Sequence, residues 1–301
     1  MIRKGMAELT GAKDWQDAWK YFFEPSDVVG IKLNPVGAPL VYSSEPVLHE
    51  IINGLTTAGV KPENIVVYDR YKDQFIKVGY PKWLPPKVRW MSAANDWEPM
   101  QPLTEGYDPD HYIEMALTMP GQTSTESRRS YAAKFISREV NKLINVPVLK
   151  HHQAAGVTLC LKNLSHGLVN NVNRTHSTQT MNATGVFIPT VVSMPVIRNK
   201  TVVQILDGTL GLYHGGPTGK PQFVWEHKTM YFATDPVALD HIGWQVIEEK
   251  RKAAGMQPIV NTKPDEFSQW IHMQPEHIEI AGDLGLGEFD LNKIQVKRVR
   301  T

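Results

Sequence analysis

Cysteine is almost absent from the chain, whose 301 residues include only Cys160. A single cysteine excludes an internal disulfide, a zinc ribbon and an iron–sulfur cluster held by cysteines of this chain. No apolar run approaches the roughly 18 residues that a membrane-spanning helix needs, so we expect no membrane span. The 32 basic and 31 acidic residues balance, and the sequence therefore lacks the basic excess typical of nucleic-acid-binding proteins.

Acidic residues are missing from one continuous stretch, Val140 to Leu206, in which about seven would be expected by simple proportion. The stretch nevertheless keeps four histidines and six cations: His151, His152, His166, His176, Lys142, Lys150, Lys162, Arg174, Arg198 and Lys200. A segment with many hydrogen-bond donors and no carboxylate suits an anionic ligand, or an imidazole-bound metal that in turn binds one. We therefore expect the functional site here.

A βαβ unit is the clearest regular pattern near the amino terminus. Residues 28–33 and 65–68 are apolar runs typical of buried strands, and the segment between them has a serine cap and apolar positions at helical spacing. Parallel strands joined by a helix bind ligands beyond their carboxyl ends. This arrangement predicts that Lys32, Asn34 and Asp69 lie on one rim.

The remaining patterns predict a single α/β domain over residues 1–301, with a mainly parallel sheet and helices on both faces. Residues 71–127 are rich in proline and aromatic side chains and show little periodicity, which indicates an irregular aromatic-rich insertion or lid. Residues 157–164 fit either a strand or a helix. Further elements are expected as helices at 128–137, 185–197, 235–251 and 267–272, and as strands at 143–149, 202–206, 230–233, 278–281 and 294–299.

Six motifs occur along the chain: Val29-Gly-Ile-Lys-Leu-Asn34, Asn64-Ile-Val-Val-Tyr-Asp69, Asn145-Val-Pro-Val-Leu-Lys-His151, Val157-Thr-Leu-Cys-Leu-Lys-Asn-Leu-Ser-His-Gly167, Asp207-Gly208 and Asp235-Pro-Val-Ala-Leu-Asp240. In order and spacing they resemble the uncharacterised bacterial and archaeal family named Domain of Unknown Function 362. The resemblance covers nearly the whole chain and implies an α/β fold, but it brings no settled activity.

The resemblance also bears on cofactor and location. Many relatives carry a ferredoxin-like cluster domain, and this chain resembles the stand-alone form, which has no cysteines for such a domain. Chains with a similar Leu9-Thr10-Gly11 segment before the first strand are exported with a twin-arginine leader. The resemblance thus implies a periplasmic location for a chain whose leader has been removed, with a cytoplasmic location as the alternative.

Candidate catalytic residues are titratable side chains of three settings: Lys150, His151 and Asp207 at strand ends, Lys162 in an apolar run, and His166 in the polar segment that follows. Alternation along a strand sends His151 and His152 to opposite faces, so at most one of them should reach a shared pocket. Asp207-Gly208 is expected as a turn at a strand end that faces the crevice. Lys162 lies in an apolar run, where an unpaired ammonium is costly, and its partner is either a distant carboxylate such as Asp240 or a ligand anion.

Candidate ligand-binding residues are amides and cations from the same regions. Substrate-binding candidates are Lys32, Asn34, Asn163, Asn171 and Arg174, because amide and guanidinium groups suit carboxylate or phosphate oxygens. His152, His166 and His176 are candidate ligands for a divalent metal ion, although no HExxH-type spacing supports the assignment.

Three functions fit these residues. The first is an enzyme that acts on a small anionic carboxylate or phosphate metabolite by histidine and lysine acid–base chemistry, as an isomerase, lyase or hydrolase. The second is the same enzyme assisted by a divalent metal held by histidines. The third is a periplasmic protein that binds an anion or a metal without turnover. The sequence leaves the substrate and the oligomeric state open.

Overall fold

The fold was established from a computed structural model, which describes residues 1–97, 105–176, 178, 181–270 and 274–300. In chain order its strands are β1 (Val29–Lys32), β2 (Ile65–Tyr68), β3 (Arg89–Met91), β4 (Tyr107–Glu114), β5 (Arg129–Ala133), β6 (Lys142–Asn145), β7 (Val148–His152), β8 (Gly156–Val157), β9 (Thr201–Leu212) and β10 (Val224–Ala233). Its α-helices are α1 (Ile2–Thr10), α2 (Trp15–Lys20), α3 (Glu45–Thr57), α4 (Lys72–Val78), α5 (Tyr80–Trp83), α6 (Leu159–Leu168), α7 (Thr184–Val192), α8 (Pro195–Arg198), α9 (Pro236–Ala253) and α10 (Glu276–Asp283).

The central sheet is mainly parallel, as the sequence predicts. From one edge, β3, β2, β1 and β6 are neighbours, and all of these pairs are parallel. Both β6 and β7 pair in parallel with β9, so they form one long strand that is interrupted before Val148. The interruption falls at Pro147, which lacks the N–H group that a regular ladder requires. β10 closes the far edge as an antiparallel partner of β9.

Helices cover both faces of this sheet because buried side chains alternate along its strands. In β2, Val66 and Tyr68 belong to the core formed with α6 and α7, whereas Ile65 and Val67 belong to the core formed with α1, α2 and α3. This is the pattern of a strand buried on both sides. The chain therefore has the α/β fold that both its sequence pattern and its family resemblance imply.

The βαβ unit forms as predicted, and α3 begins directly after Ser44 and ends before Gly59, whose φ of 95° is readily accessible to glycine. Residues 157–164, which fitted either a strand or a helix, include the start of helix α6. Residues 185–197 form two helices, α7 and α8, rather than one.

Several expected elements are wrong. The helix expected at 128–137 is strand β5 followed by a π-helical turn at Phe135–Glu139, because the backbone of 129–133 pairs with β4. The strand expected at 278–281 lies within α10, and residues 294–299 form no strand. The helix expected at 267–272 is absent from 267–270, and its last two residues lie outside the described part of the chain.

The segment 71–127 is more regular than its composition indicates. It contains α4, α5, β4 and also β3, which is a strand of the main sheet. Residues 98–104, in the middle of the proposed insertion or lid, lie outside the described residues. Whether the segment acts as a lid stays a prediction. Across the described residues, none of the helices combines the length and apolar character needed to cross a bilayer.

We expect Asp235→Ala to lower the free energy of unfolding by about 1–2 kcal/mol, because this residue caps α9. Its Oδ1 accepts hydrogen bonds from Val237 N at 2.8 Å and Ala238 N at 2.9 Å, and its Oδ2 accepts one from Glu288 N at 2.7 Å. Asp14→Ala is the matched control, since Asp14 caps the short helix α2 through one exposed bond. Urea unfolding would measure both, and equal losses would contradict the prediction.

Candidate functional site

A cavity of about 260 Å³ opens beyond the carboxyl ends of β1 and β2, between β7 and α6. Its polar and charged lining comes from these elements and the residues that follow them, from α4 and from the loop after α6: Lys32, Asn34, Asp69, Arg70, Tyr71, Gln74, Lys150, His152, Thr158, Lys162, Asn163, His166, Asn173 and His176. This is the position at which open α/β sheets bind ligands. Eight of the sequence-predicted residues meet here: Lys32, Asn34, Lys150, His152, Lys162, Asn163, His166 and His176.

The Lys32 ammonium is fully committed within the protein. It donates hydrogen bonds to Asp69 Oδ1 at 2.6 Å, to Leu33 O at 2.5 Å and to Asn163 Oδ1 at 3.3 Å. Lys32 is buried, and Gly167 of α6 packs directly against its side chain. Because an ammonium has three donors, Lys32 has none left for a ligand. Its role is therefore to pair with Asp69, the one acid among the described residues that line the cavity.

Lys150 is held more loosely. Its Nζ donates to Asn34 Oδ1 at 2.7 Å and to the carbonyl of Val36, so one donor remains. Burial, followed by the charge of the neighbouring Lys32, lowers the pKa of Lys150 to about 7. Lys150 therefore changes its charge near neutral pH.

Lys162 has no counter-ion. Its ammonium makes no hydrogen bond and no ion pair with any residue that the structure describes, although the side chain is only 7% exposed. Burial lowers the pKa of Lys162 well below its ordinary value of 10.5, and the nearby Arg70 and Lys150 lower it further. A buried amine without a partner in a cavity is costly to stability and is typical of functional sites.

Arg70 follows β2 and brings a guanidinium group to the same cavity. It donates to Val169 O at 3.1 Å and to the hydroxyl of Tyr71, and it lies 4.2 Å from the centroid of the Tyr71 ring. No carboxylate among the described residues pairs with it, and the bonds above engage only part of its five N–H donors. A planar fork of this kind is suited to a carboxylate or a phosphate group.

The backbone fixes the tautomer of His152. Its Nδ1 lies 3.1 Å from Ala154 N and 3.3 Å from Ala155 N, and both amides can only donate. Nδ1 must therefore be the unprotonated nitrogen, which leaves the proton on Nε2. Burial and the nearby Lys162 keep the pKa of His152 well below its ordinary value, so the ring is neutral. His152 accordingly offers the cavity an N–H donor.

His176 has the opposite tautomer. The Thr175 hydroxyl donates to Val172 O at 2.7 Å, so it accepts at 3.1 Å from His176 Nδ1 and at 3.2 Å from His166 Nε2. The His176 proton is therefore on Nδ1, and no described residue donates a hydrogen bond to the lone pair of Nε2. Burial, followed by the charge of Lys162, lowers the pKa of His176 to about 3. His176 and His152 thus provide an acceptor and a donor on one wall, with rings 5.7 Å apart.

These tautomers bear on the metal hypothesis. His166 uses Nε2 as a donor to Thr175 and has Nδ1 3.0 Å from Ser165 Oγ, while His152 uses its lone pair to accept backbone bonds. His176 alone of the three keeps a free lone pair. Consistently, no group of three or more histidine, cysteine or acidic side chains in the described part of the chain is arranged to hold a metal ion. Metal assistance stays a prediction.

Two predicted catalytic residues lie outside the cavity. His151 faces the other side of β7, where its Nδ1 accepts from Gly216 N at 3.3 Å and its ring lies 5.4 Å from that of His214. Only one of the histidine pair reaches the cavity, as strand alternation requires, but it is His152. Asp207 lies within β9 rather than at its end, and its Oδ2 accepts from the Ser44 hydroxyl at 2.9 Å. The expected turn is absent because β9 continues to pair with β10.

Two predicted substrate-binding residues donate hydrogen bonds to backbone carbonyl groups and do not line the cavity. Arg174 is fully buried and donates to carbonyl groups that follow β4, including Leu117 O at 2.6 Å. Asn171 Nδ2 donates to Ser127 O at 2.9 Å and to Arg129 O at 3.0 Å. Both side chains hold the β4–β5 region against the loop after α6, and neither lines the cavity.

Asp240, which was expected as a candidate carboxylate partner of Lys162, does not pair with it. Its Oδ1 accepts from Cys160 N at 2.6 Å and its Oδ2 from Leu161 N at 2.8 Å, so it caps the start of α6. Burial raises the pKa of Asp240 to about 7.

The comparisons with known proteins identify a family without assigning an activity. Residues 109–245 match the model of the family described as "Domain of unknown function (DUF362)". This match supports membership of the chain in the family. No curated protein matches the chain. The DUF362 match includes β7 and α6, and so Lys150, His152 and Lys162, but it excludes β1 and β2, which supply Lys32 and Arg70.

Three further groups in this cavity were not among the residues predicted from the sequence. Arg70 was detectable, because it directly follows Asp69 at a parallel strand end. The Thr158 hydroxyl and Gln74 Oε1 gave no signal in the sequence. Both are buried atoms without a hydrogen-bond partner, and both residues line the cavity. Buried polar atoms are rarely unsatisfied in a native protein, so these two atoms call for a partner that the described residues do not supply.

Two lysines of the cavity should respond oppositely to the same substitution. We expect Lys32→Met to lower the free energy of unfolding by about 3–5 kcal/mol, since Asp69 would be left buried and unpaired. We expect Lys162→Met to raise it by about 1–3 kcal/mol, because a buried amine without a partner is removed. Thermal or urea unfolding at pH 7 measures both.

The gain from Lys162→Met should also depend on pH. The folded state lowers the pKa of Lys162, so the unfolded state binds more protons between that value and 10.5. The penalty in the wild type is complete below the folded pKa and disappears as the pH rises through 10.5. The stabilisation should therefore be smaller at pH 10 than at pH 7, and a destabilised Lys162→Met at pH 7 would contradict this account.

Proposed function

We propose that the protein is an enzyme that acts on a small carboxylate-bearing metabolite by acid–base chemistry in this cavity. The observation that carries the proposal is the set of uncompensated donors around one space. Lys162 and Arg70 face the cavity without a carboxylate partner, while Asp69 is already bound to Lys32. The site therefore lacks a negative charge that a ligand would supply.

The proposed roles follow from the free donors and acceptors. Arg70 and the remaining donor of Lys150 bind the carboxylate. His176 Nε2 accepts a proton from the substrate and His152 Nε2–H donates one, since their tautomers are opposite. A bound anion favours the protonated imidazole, so it raises the pKa of His176 from about 3 and makes the ring a stronger base. Proton transfer beside a carboxylate is the chemistry of isomerases and lyases, and a hydrolase would use the same base to activate water.

A binding protein without turnover is the second candidate. The low pKa of His176 favours it, because a ring with a pKa of about 3 is a weak base in the absence of a ligand. A periplasmic location, inferred from the Leu9-Thr10-Gly11 resemblance, suits such a protein. The two candidates differ in one result: an enzyme converts the ligand into a product, and a binding protein returns it unchanged.

The anion site is tested by a thermal-shift screen of small carboxylates and inorganic phosphate. A ligand that binds the folded state raises the melting temperature through linkage. We expect Arg70→Met to abolish the shift that the best ligand produces. Arg198→Met is the matched control, since it removes the same guanidinium group from a side chain that donates to Gly285 O, outside the cavity. A screen without any shift, or an equal loss in both variants, would overturn the proposal.

Binding should weaken as the pH rises through 7. The pKa of Lys150 is about 7, and an anion beside Lys150 favours the charged ammonium, so binding takes up protons. Above pH 7 the dissociation constant should increase by up to roughly tenfold per pH unit for each proton taken up. Calorimetry at pH 6, 7, 8 and 9 measures this slope. Lys150→Met should flatten it, and an unchanged slope in that variant would assign the proton uptake elsewhere.

Turnover should depend on His176 more than binding does. We expect His176→Phe to reduce the rate of product formation at least roughly a hundredfold, which is the usual contribution of a general base. Its effect on the dissociation constant should be small, because the carboxylate is bound by Arg70 and Lys150. Product analysis of the ligand found in the screen, with wild type and variant, makes the measurement. Equal rates in both proteins would remove His176 from the mechanism.

A further inference from the structure

The three lysines of the cavity differ in one respect, which is how many acceptors each ammonium has. Lys32 has three and Lys150 has two, whereas Lys162 has none among the described residues. Lys162 projects from α6, a helix whose amino-terminal amides are capped by Asp240. The amine is thus held on a rigid element without any group that would favour its charged form.

An amine in this setting is suited to nucleophilic attack. Only the unprotonated amine has a lone pair for bond formation, and desolvation beside other cations is a recognised way to obtain it near neutral pH. The groups that face Lys162 are mostly positive or neutral: Arg70, Lys150, His152, His166 and His176, with Asp69 engaged by Lys32. Both burial and these cations lower the pKa of Lys162.

We propose that the Lys162 amine attacks the carbonyl carbon of a 2-oxo carboxylate held by Arg70 and forms an imine with it in this cavity. This inference rests on the proposed anion site and names its substrate class. The carboxylate matches the guanidinium fork, and the adjacent carbonyl carbon matches the free amine. The His152 N–H group lies on the same wall and can donate to the carbonyl oxygen.

The step is balanced within the cavity. The Lys162 lone pair forms the C–N bond while the carbonyl π electrons move to oxygen, which takes the proton of His152 Nε2. The amine nitrogen returns one proton to His152 and gives its second proton to the leaving hydroxyl as the C–O bond breaks, so that one water leaves and a neutral C=N bond forms. Nothing is oxidised or reduced. The imine nitrogen then takes one proton from solvent. The protonated imine acidifies the neighbouring C–H bond, and His176 Nε2 is the lone pair available to accept the C–H proton.

Size and unsatisfied polar atoms agree with this substrate class. A cavity of about 260 Å³ holds the volume of roughly eight or nine water molecules, at about 30 Å³ each. Such a space accommodates an oxo acid of a few carbons. The Thr158 hydroxyl and Gln74 Oε1 lack partners in the wall and are available to the polar atoms of such a ligand or to the water that leaves.

Reductive trapping tests the imine directly. The wild-type chain is incubated with glyoxylate, pyruvate or 2-oxoglutarate and cyanoborohydride at pH 7, digested, and mapped by mass spectrometry. We expect the reduced adduct of at least one acid on Lys162, at a yield at least tenfold above any other lysine. Lys162→Arg keeps a cation but cannot form the imine, so it should lose this adduct. Lys142→Arg is the control and should keep it, because Lys142 pairs with Asp27 outside the cavity.

The outcomes separate the covalent step from the anion site. No adduct on Lys162 with any of the three acids overturns the imine, and the wild-type map gives this result whether or not the variants fold. If an oxo acid then still raises the melting temperature through Arg70, the anion site stands without the covalent step. If no carboxylate raises it, the proposed function fails as well. Labelling spread evenly over surface lysines also counts against the imine.

Discussion

The Lys32–Asp69 ion pair determines the charge of the whole cavity. Asp69 is the one acid among the described lining residues, and Lys32 occupies it at 2.6 Å. The pair is extended by amides, because Asn163 Oδ1 accepts from Lys32 and from Asn34 Nδ2, and Asn34 Oδ1 in turn accepts from Lys150. A buried pair supported in this way is fixed in position. The other cations near the cavity therefore have no free carboxylate among the described lining residues with which to pair.

The geometry of α6 makes this network possible. Gly167 lies so close to Lys32 that a Cβ atom added to it would fall 2.3 Å from Lys32 Cε and 2.7 Å from Nζ. A larger residue would displace the ammonium from Asp69. The same helix presents Lys162 to the cavity about one and a half turns earlier, without an acceptor. Helix α6 thus packs closely enough to keep Lys32 against Asp69, while it leaves Lys162 without an acceptor. The unpaired Lys162 lowers stability, and a functional role would explain that cost.

The sequence predicted the parts of the fold that depend on local pattern. Residues 29–32 and 65–68 are apolar runs, α3 has both a start and a stop signal, and strand alternation limited the histidine pair to one cavity residue. The errors arose where tertiary pairing decides. Residues 129–133 form a strand because β4 is available to pair with them, and Asp207 lies mid-strand because β10 extends β9. Neither partner is visible in a local window.

The absence of carboxylates from Val140 to Leu206 indicated the segment that supplies much of the cavity. The inference was incomplete, because most cations of this segment do have acceptors. Outside the cavity, the cations of Val140–Leu206 find acceptors from other segments, as Lys200 does at the carbonyl of Ile136 and Lys142 at Asp27. A carboxylate from outside this stretch likewise contacts it, because Asp240 of α9 caps α6. Absence of acids from a stretch therefore does not establish absence of negative partners, and each donor has to be followed to its acceptor. Within the described part of the stretch, that accounting leaves the amine of Lys162 without an acceptor, and the choice between a structural and a functional lysine rests on that unpaired group.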